Sequence, residues 1–280
     1  MENTRTKTTR NSLILLLTAA IWGMAFVSQS KGMDYMHPFT FNGVRSLIGA
    51  ASILVYILIS RKIAGDKAAP LDWKLNVKAG LLCGIFLTIA STLQQFGIKY
   101  TSVGKAGFIT TLYIIFVPMF GIFLKKKVAP VVWAAAVMAA VGMYLLCMTE
   151  SLRLGAGDIM VFLCAIAFAI QIMTVDHYAA RIDGAVVSCI QFTVCGVVCC
   201  IGALIWGQPT FGQLQEGLGA LLYAGVLSCG VGYTLQIVGQ KGLNPTVAAL
   251  IMSLESVIAT ISGWIAYKIG FLTTAQTLTA

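Results

Sequence analysis

Charge is scarce in this chain. Asp, Glu, Lys and Arg make up 10% of its 280 residues, where a soluble domain carries about 25%. So few polar side chains cannot coat a globule in water. With 58% hydrophobic residues and a mean hydropathy of +0.88, the bilayer is the solvent. Histidine is nearly absent: His37 and His177 lie far from any cysteine pair, so the chain lacks the ligand spacing of a zinc site. No HExxH, GxSxG or Walker A sequence occurs, which removes the usual zinc, serine and nucleotide-driven chemistries. The eight cysteines all fall inside apolar runs, where free thiols act as small packing residues rather than as disulfides or metal ligands. A net charge of +9 suggests nucleic acid at first sight, but the basic residues form short clusters between apolar runs. The expectation is no enzyme, no catalytic residue, no cofactor, no metal and no nucleic-acid partner.

Runs of about 20 apolar residues mark helices that cross a bilayer. Such runs lie near 12–29, 39–59, 75–97, 104–124, 128–147, 157–176, 185–205, 217–238 and 246–267, and a tenth begins at "GFLTTAQTLTA" but stops about half a bilayer later. The first run follows a basic "MENTRTKTTR" but is as long as a full span, so it reads as an uncleaved helix rather than a signal peptide. Lys and Arg in short loops set orientation. With a cytoplasmic N-terminus, thirteen basic residues fall inside and five outside, which leaves only Arg45, inside the second span. "GAGD" at 155–158 spells the GxGD of intramembrane aspartyl proteases, but that chemistry needs a second membrane-embedded aspartate to share a proton. Asp34, Asp66, Asp72, Asp176 and Asp183 all sit in loops or at span ends.

The loops are too short for a separate domain, so function belongs among the helices. Shifting the chain by 142 residues aligns "LQQFGIKYTSVGKAGFITTLYIIFVPMFG" (93–121) with "LQIVGQKGLNPTVAALIMSLESVIATISG" (235–263), with eight identities in 29 positions. The unit holds five spans, an odd number, so its second copy enters from the opposite face. Inverted repeats around a midplane site are an architecture of secondary transporters. The halves are expected at 1–148 and 149–280.

Glu255 sits about ten residues into the ninth span. A carboxylate at that depth costs roughly 2.5–3.5 kcal/mol and normally faces a cavity or bundle interior. Ala248, Met252, Glu255, Ala259 and Ser262 form one helical stripe opposite a wider apolar face, so Glu255 is expected to point inward. Asn42, Arg45, Gly49 and Ser52 make a similar polar and small stripe in the second span. Tyr113 occupies the repeat position of Glu255, and Gln94, Gln171, Gln191 and Gln236 add amides within four spans. Several readings stay open: a structural bridge between Glu255 and Arg45, a protonated Glu255 hydrogen-bonded to hydroxyls, Arg45 snorkelling outward or capping a neighbouring helix, or contact with substrate, with Glu255 also a proton-coupling candidate.

"WGMAF", "HPFTFNGVRSLIGA", "GIKYTSVGKAGFITTLYIIFVPMFG" and "NPTVAALIMSLESVIATISGW" resemble the EamA branch of the drug/metabolite transporter superfamily over nearly the whole chain. The resemblance implies an all-α polytopic membrane protein with ten helices in two inverted five-helix repeats and both termini cytoplasmic. Helices one to four and six to nine would surround a central cavity. Family members move small organic solutes such as amino acids, often outward. Trp22, Arg45, Tyr113 and Glu255 then fall on cavity-forming helices, and Asn42, Gln94 and Gln171 join them as candidate substrate-binding residues. Two departures stand out: "YKIG" at 267–270 replaces the acidic residue expected after "GW", and the tenth helix is cut short. The expected partners are a small-molecule substrate and the lipid bilayer of a bacterial-type inner membrane, with a homodimer left open. The functional expectation is a secondary transporter working by alternating access. An uncoupled facilitator or channel and a non-transporting scaffold are its alternatives.

Overall fold

The computed structural model describes residues 4–65, 70–123, 130–131, 133–134, 137–138, 141–142, 155–273 and 276. The expected fifth span at 128–147 and most of the tenth lie largely outside them. The rest is helical: α1 (Thr4–Gly32), α2 (Pro38–Ala64), α3 (Trp73–Ile98), α4 (Val103–Thr110), α5 (Tyr113–Phe123), α6 (Ala156–Tyr178) and α7 (Gly184–Gly202). After these come α8 (Phe211–Glu216), α9 (Leu218–Leu222), α10 (Tyr233–Gln240), α11 (Pro245–Met252) and α12 (Glu255–Lys268). Among the described residues eight helical stretches are long and apolar enough to cross a membrane, and α4–α5, α9–α10 and α11–α12 each count as one.

Local chemistry sets the starts. His37, Asp72, Ser102, Asp183 and Asn244 each accept a backbone N–H of the first turn of the helix they precede. Pro38 and Pro245 take the first helical position, where no hydrogen bond is lost. Gly80 and Gly84, the small pair of "GLLCG", let α3 lie against Ile190, Gln191 and Val194 of α7.

Two spans depart from the continuous helices expected. The stretch 103–123 breaks at Thr111–Leu112, and 245–268 breaks at Ser253–Leu254, the same place 142 residues later. The backbone bonds at the breaks also match. Leu112 N–H donates to Ile109 O (3.1 Å) and Ile114 to Thr111 O (3.0 Å), while Leu254 donates to Ile251 O (3.3 Å) and Ser256 to Ser253 O (3.1 Å). A hydroxyl at each break bonds back into the preceding turn. Thr111 Oγ1 donates to Phe108 O and Ser253 Oγ to Leu250 O, both at 2.8 Å, competing with the helical ladder. The span 218–240 also departs from a regular helix, widening into π-helical turns over Tyr223–Gly232.

Candidate functional site: a central polar cavity

The stripe expected to turn inward does so. Ala248, Met252 and Ala259 are fully buried and Glu255 nearly so, while Val257 and Ile261 on the opposite face are exposed. Because the helix restarts at Glu255, this carboxyl leaves the backbone at a break rather than mid-ladder. Tyr113 opens α5 in the same way. The two side chains meet: Tyr113 Oη donates to Glu255 Oε1 at 2.9 Å. Residues 142 apart in sequence thus touch at the centre of the molecule.

Around this contact lies a cavity lined from both halves. Trp22, Arg45, Gln94, Gln171, Tyr113 and Glu255, six of the seven candidates, stand on its wall. Asn42 does not line it. Its Oδ1 accepts from Arg45 Nε at 2.8 Å, so it aims the guanidinium rather than facing the cavity. The Phe41 ring backs the same group at 5.4 Å. Arg45 and Glu255 do not form an ion pair. Among the described residues no carboxylate pairs with Arg45, which is buried. One wall therefore carries a cation and another a carboxyl group.

The π-helical stretch shapes the third wall. Its wider turns bring Gly225, Cys229 and Gly230 against α2, next to Arg45. They also present the Ser228 carbonyl to Trp22 Nε1 at 3.4 Å. Trp22 lies against Tyr233 at 4.5 Å between ring centroids, and Tyr233 meets Phe192 edge-on at 4.9 Å. Amides complete the lining. Gln94 Nε2 donates to Thr110 Oγ1 (3.2 Å) and Gln236 Nε2 to Gln171 Oε1 (3.2 Å), while Gln236 Oε1 and Gln29 Oε1 have no partner. Buried amide oxygens left so are costly unless water or a ligand meets them.

The sequence reading missed Phe26, Gln29, Phe168 and Tyr233. The 142-residue shift contained the signal, had it been extended back over the first and third spans. Phe26 and Phe168, Gln29 and Gln171, Leu87 and Cys229, Ser91 and Tyr233, Gln94 and Gln236, and Tyr113 and Glu255 are all that far apart. These pairs supply twelve of the nineteen lining residues. The room left for water centres is about 30 Å³, space for about two waters. One turn past Gln94 and Gln236 of the cavity wall, at opposite ends of the bundle, glycines let helices lie close together. A Cβ on Gly97 would come within 2.8 Å of Gly157 O, and one on Gly239 within 2.8 Å of the Leu15 side chain.

Apolar helices closed around a buried cation, a carboxyl group and amides define a multi-pass membrane protein with an internal polar site. The model of the EamA-like transporter family matches residues 10–148 and 155–276, and the chain belongs to that family. It is a membrane transporter. An uncharacterized transporter of Archaeoglobus fulgidus is 30% identical over 171 residues, 59% of this chain. That match spans about half, 48%, of the archaeal protein's own length. The uncharacterized transporter YwfM of Bacillus subtilis is 27% identical over 256 residues, covering 90% of this chain and 84% of its own. A protein of known crystal structure superposes with a TM-score of 0.71 at 17% identity, over 97% of this chain and 92% of its own, and so shares the fold.

Proposed function

We propose that this chain is a secondary transporter that carries a small polar or amphipathic organic metabolite by alternating access through the central cavity. The observation that carries this reading is the Tyr113–Glu255 bond, made at matching helix breaks between the two halves. It supports two inverted repeats, 1–148 and 149–280, meeting on an axis through the binding site. Glu255 and Arg45 would be the two poles of the site, with Gln94 and Gln171 as orienting amides and Trp22 and Tyr113 as walls. The space open to water centres, about 30 Å³, holds about two waters, so a metabolite needs the cavity to widen. The basic loops favour a cytoplasmic N-terminus.

The test is a thermal-shift screen of detergent-purified protein against metabolite pools, beside Glu255→Gln, followed by counterflow of the hit in proteoliposomes. One compound should raise the wild-type midpoint, the variant should stay folded and lose that rise, and flux should saturate and show counterflow. A rise that persists in the variant removes Glu255 from the substrate site. Flux without saturation or counterflow makes the protein a pore rather than a carrier.

A further inference from the structure

The glycine contacts at the two ends of the bundle are built alike in shape but not in charge. At one end Gly97 of α3 rests on Gly157 and Val161 of α6, and at the other Gly239 of α10 rests on Leu15 and the Asn11 carbonyl of α1. The two contacts correspond, because Gly97 and Gly239, like Leu15 and Gly157, are 142 residues apart. Beside the first contact Lys105 Nζ lies 2.8 Å from Asp158 Oδ2, with both side chains buried. Thr101 Oγ1 donates to Asp158 Oδ1 at 2.7 Å, and the Gly155 N–H donates to Oδ2 at 2.9 Å. The corresponding positions at the second contact, Leu243, Val247 and Leu16, carry no charge. That end has a neutral bond instead, Asn11 Nδ2 to Lys241 O at 2.7 Å.

We propose that Lys105 and Asp158 are the latch of one gate, holding the cavity shut at the end opposite the N-terminus, while the N-terminal end is left to open more readily. The pair bridges the start of α4 and the start of α6, elements that must separate if this end is to open. Closing the gate removes both charges from water, which is sustainable only while each has the other and the hydrogen bonds are made. If one charge is lost, the remaining one is buried without its counter-charge in the closed form and hydrated in the open form, so the equilibrium moves toward opening. Lys105 and Asp158 are positioning residues, since neither touches the cavity. The proposal rests on the alternating-access reading above.

Cys229, a buried thiol on the cavity wall, is the reporter. A membrane-impermeant maleimide is applied to vesicles of each orientation, and modification of Cys229 is read by peptide mass spectrometry. In the wild type the reagent should reach Cys229 faster from the N-terminal face. Lys105→Met should raise the rate from the opposite face about tenfold and lower it from the N-terminal face, and Lys105→Arg should keep the wild-type pattern. An ion pair that only caps α6 would give no such sidedness. Unchanged rates, or equal rises from both faces, overturn the proposal. Should Lys105→Met not fold, Thr101→Val removes one hydrogen bond and keeps both charges. It should raise the rate from the latched face about threefold, and no rise overturns the latch. Wild-type counterflow is measured in the same preparations. Its absence sinks the carrier reading, whereas counterflow with unchanged labelling in the variants sinks the latch alone.

Discussion

A carboxyl group in an apolar helix is tolerable only if something in the interior meets it, and for Glu255 that group is the Tyr113 hydroxyl. Tyr113→Phe removes the donor and leaves a buried acceptor unmet. The expected loss is about 1–3 kcal/mol of stability, seen as a lower thermal midpoint in detergent, with substrate affinity also altered if Glu255 binds solute. An unchanged midpoint would mean that water replaces the hydroxyl at no cost. Glu255 and Arg45 were legible in the sequence because ionisable residues in spans are rare and turn inward. Their partners were not. Nothing in the pattern distinguishes Arg45 bonded to Asn42 from Arg45 paired with Glu255, since both are compatible with the spacing. Gln29 and Phe26 lay on the first span, whose kinship with the sixth is carried by few identical residues.

At the scale of helices, the sequence located eight of the membrane-crossing stretches but not where two of them break. "TTLY" and "MSLE" contain no proline or glycine, the usual signs of interruption. The hydroxyl that bonds back to a carbonyl at each break is no better a sign, because Ser52, Thr88 and Thr260 make the same bond inside unbroken helices. The π-helical turns of 223–232 were equally hidden, because they follow from how closely this segment approaches α2. Helix contacts also set a limit on side-chain size. Gly239 has no room for a Cβ beside Leu15 and the Asn11 carbonyl. Gly239→Val should cost about 1–3 kcal/mol through overpacking, measurable as a fall in thermal midpoint. It should also wedge the N-terminal gate, so Cys229 should react faster from that face. A variant as stable as wild type would show that α1 and α10 are not held together there.

For the whole molecule, scarcity of charge decided the solvent, and the proposed orientation rests on loop basicity. If Glu255 couples transport to protons, solute uptake into proteoliposomes should follow an imposed pH gradient in wild type and lose that dependence in Glu255→Gln. Uptake indifferent to the gradient would leave uncoupled exchange. The meeting of Tyr113 and Glu255 has a further consequence for ancestry. When two copies of one ancestral half face each other across an axis, a position on that axis confronts its own duplicate. Two glutamates there would oppose carboxyl to carboxyl, and two tyrosines would leave the site without an acid. If the halves are such copies, as proposed, an identical pair could not have held this donor–acceptor bond, and one chain carrying both lets each take a different part.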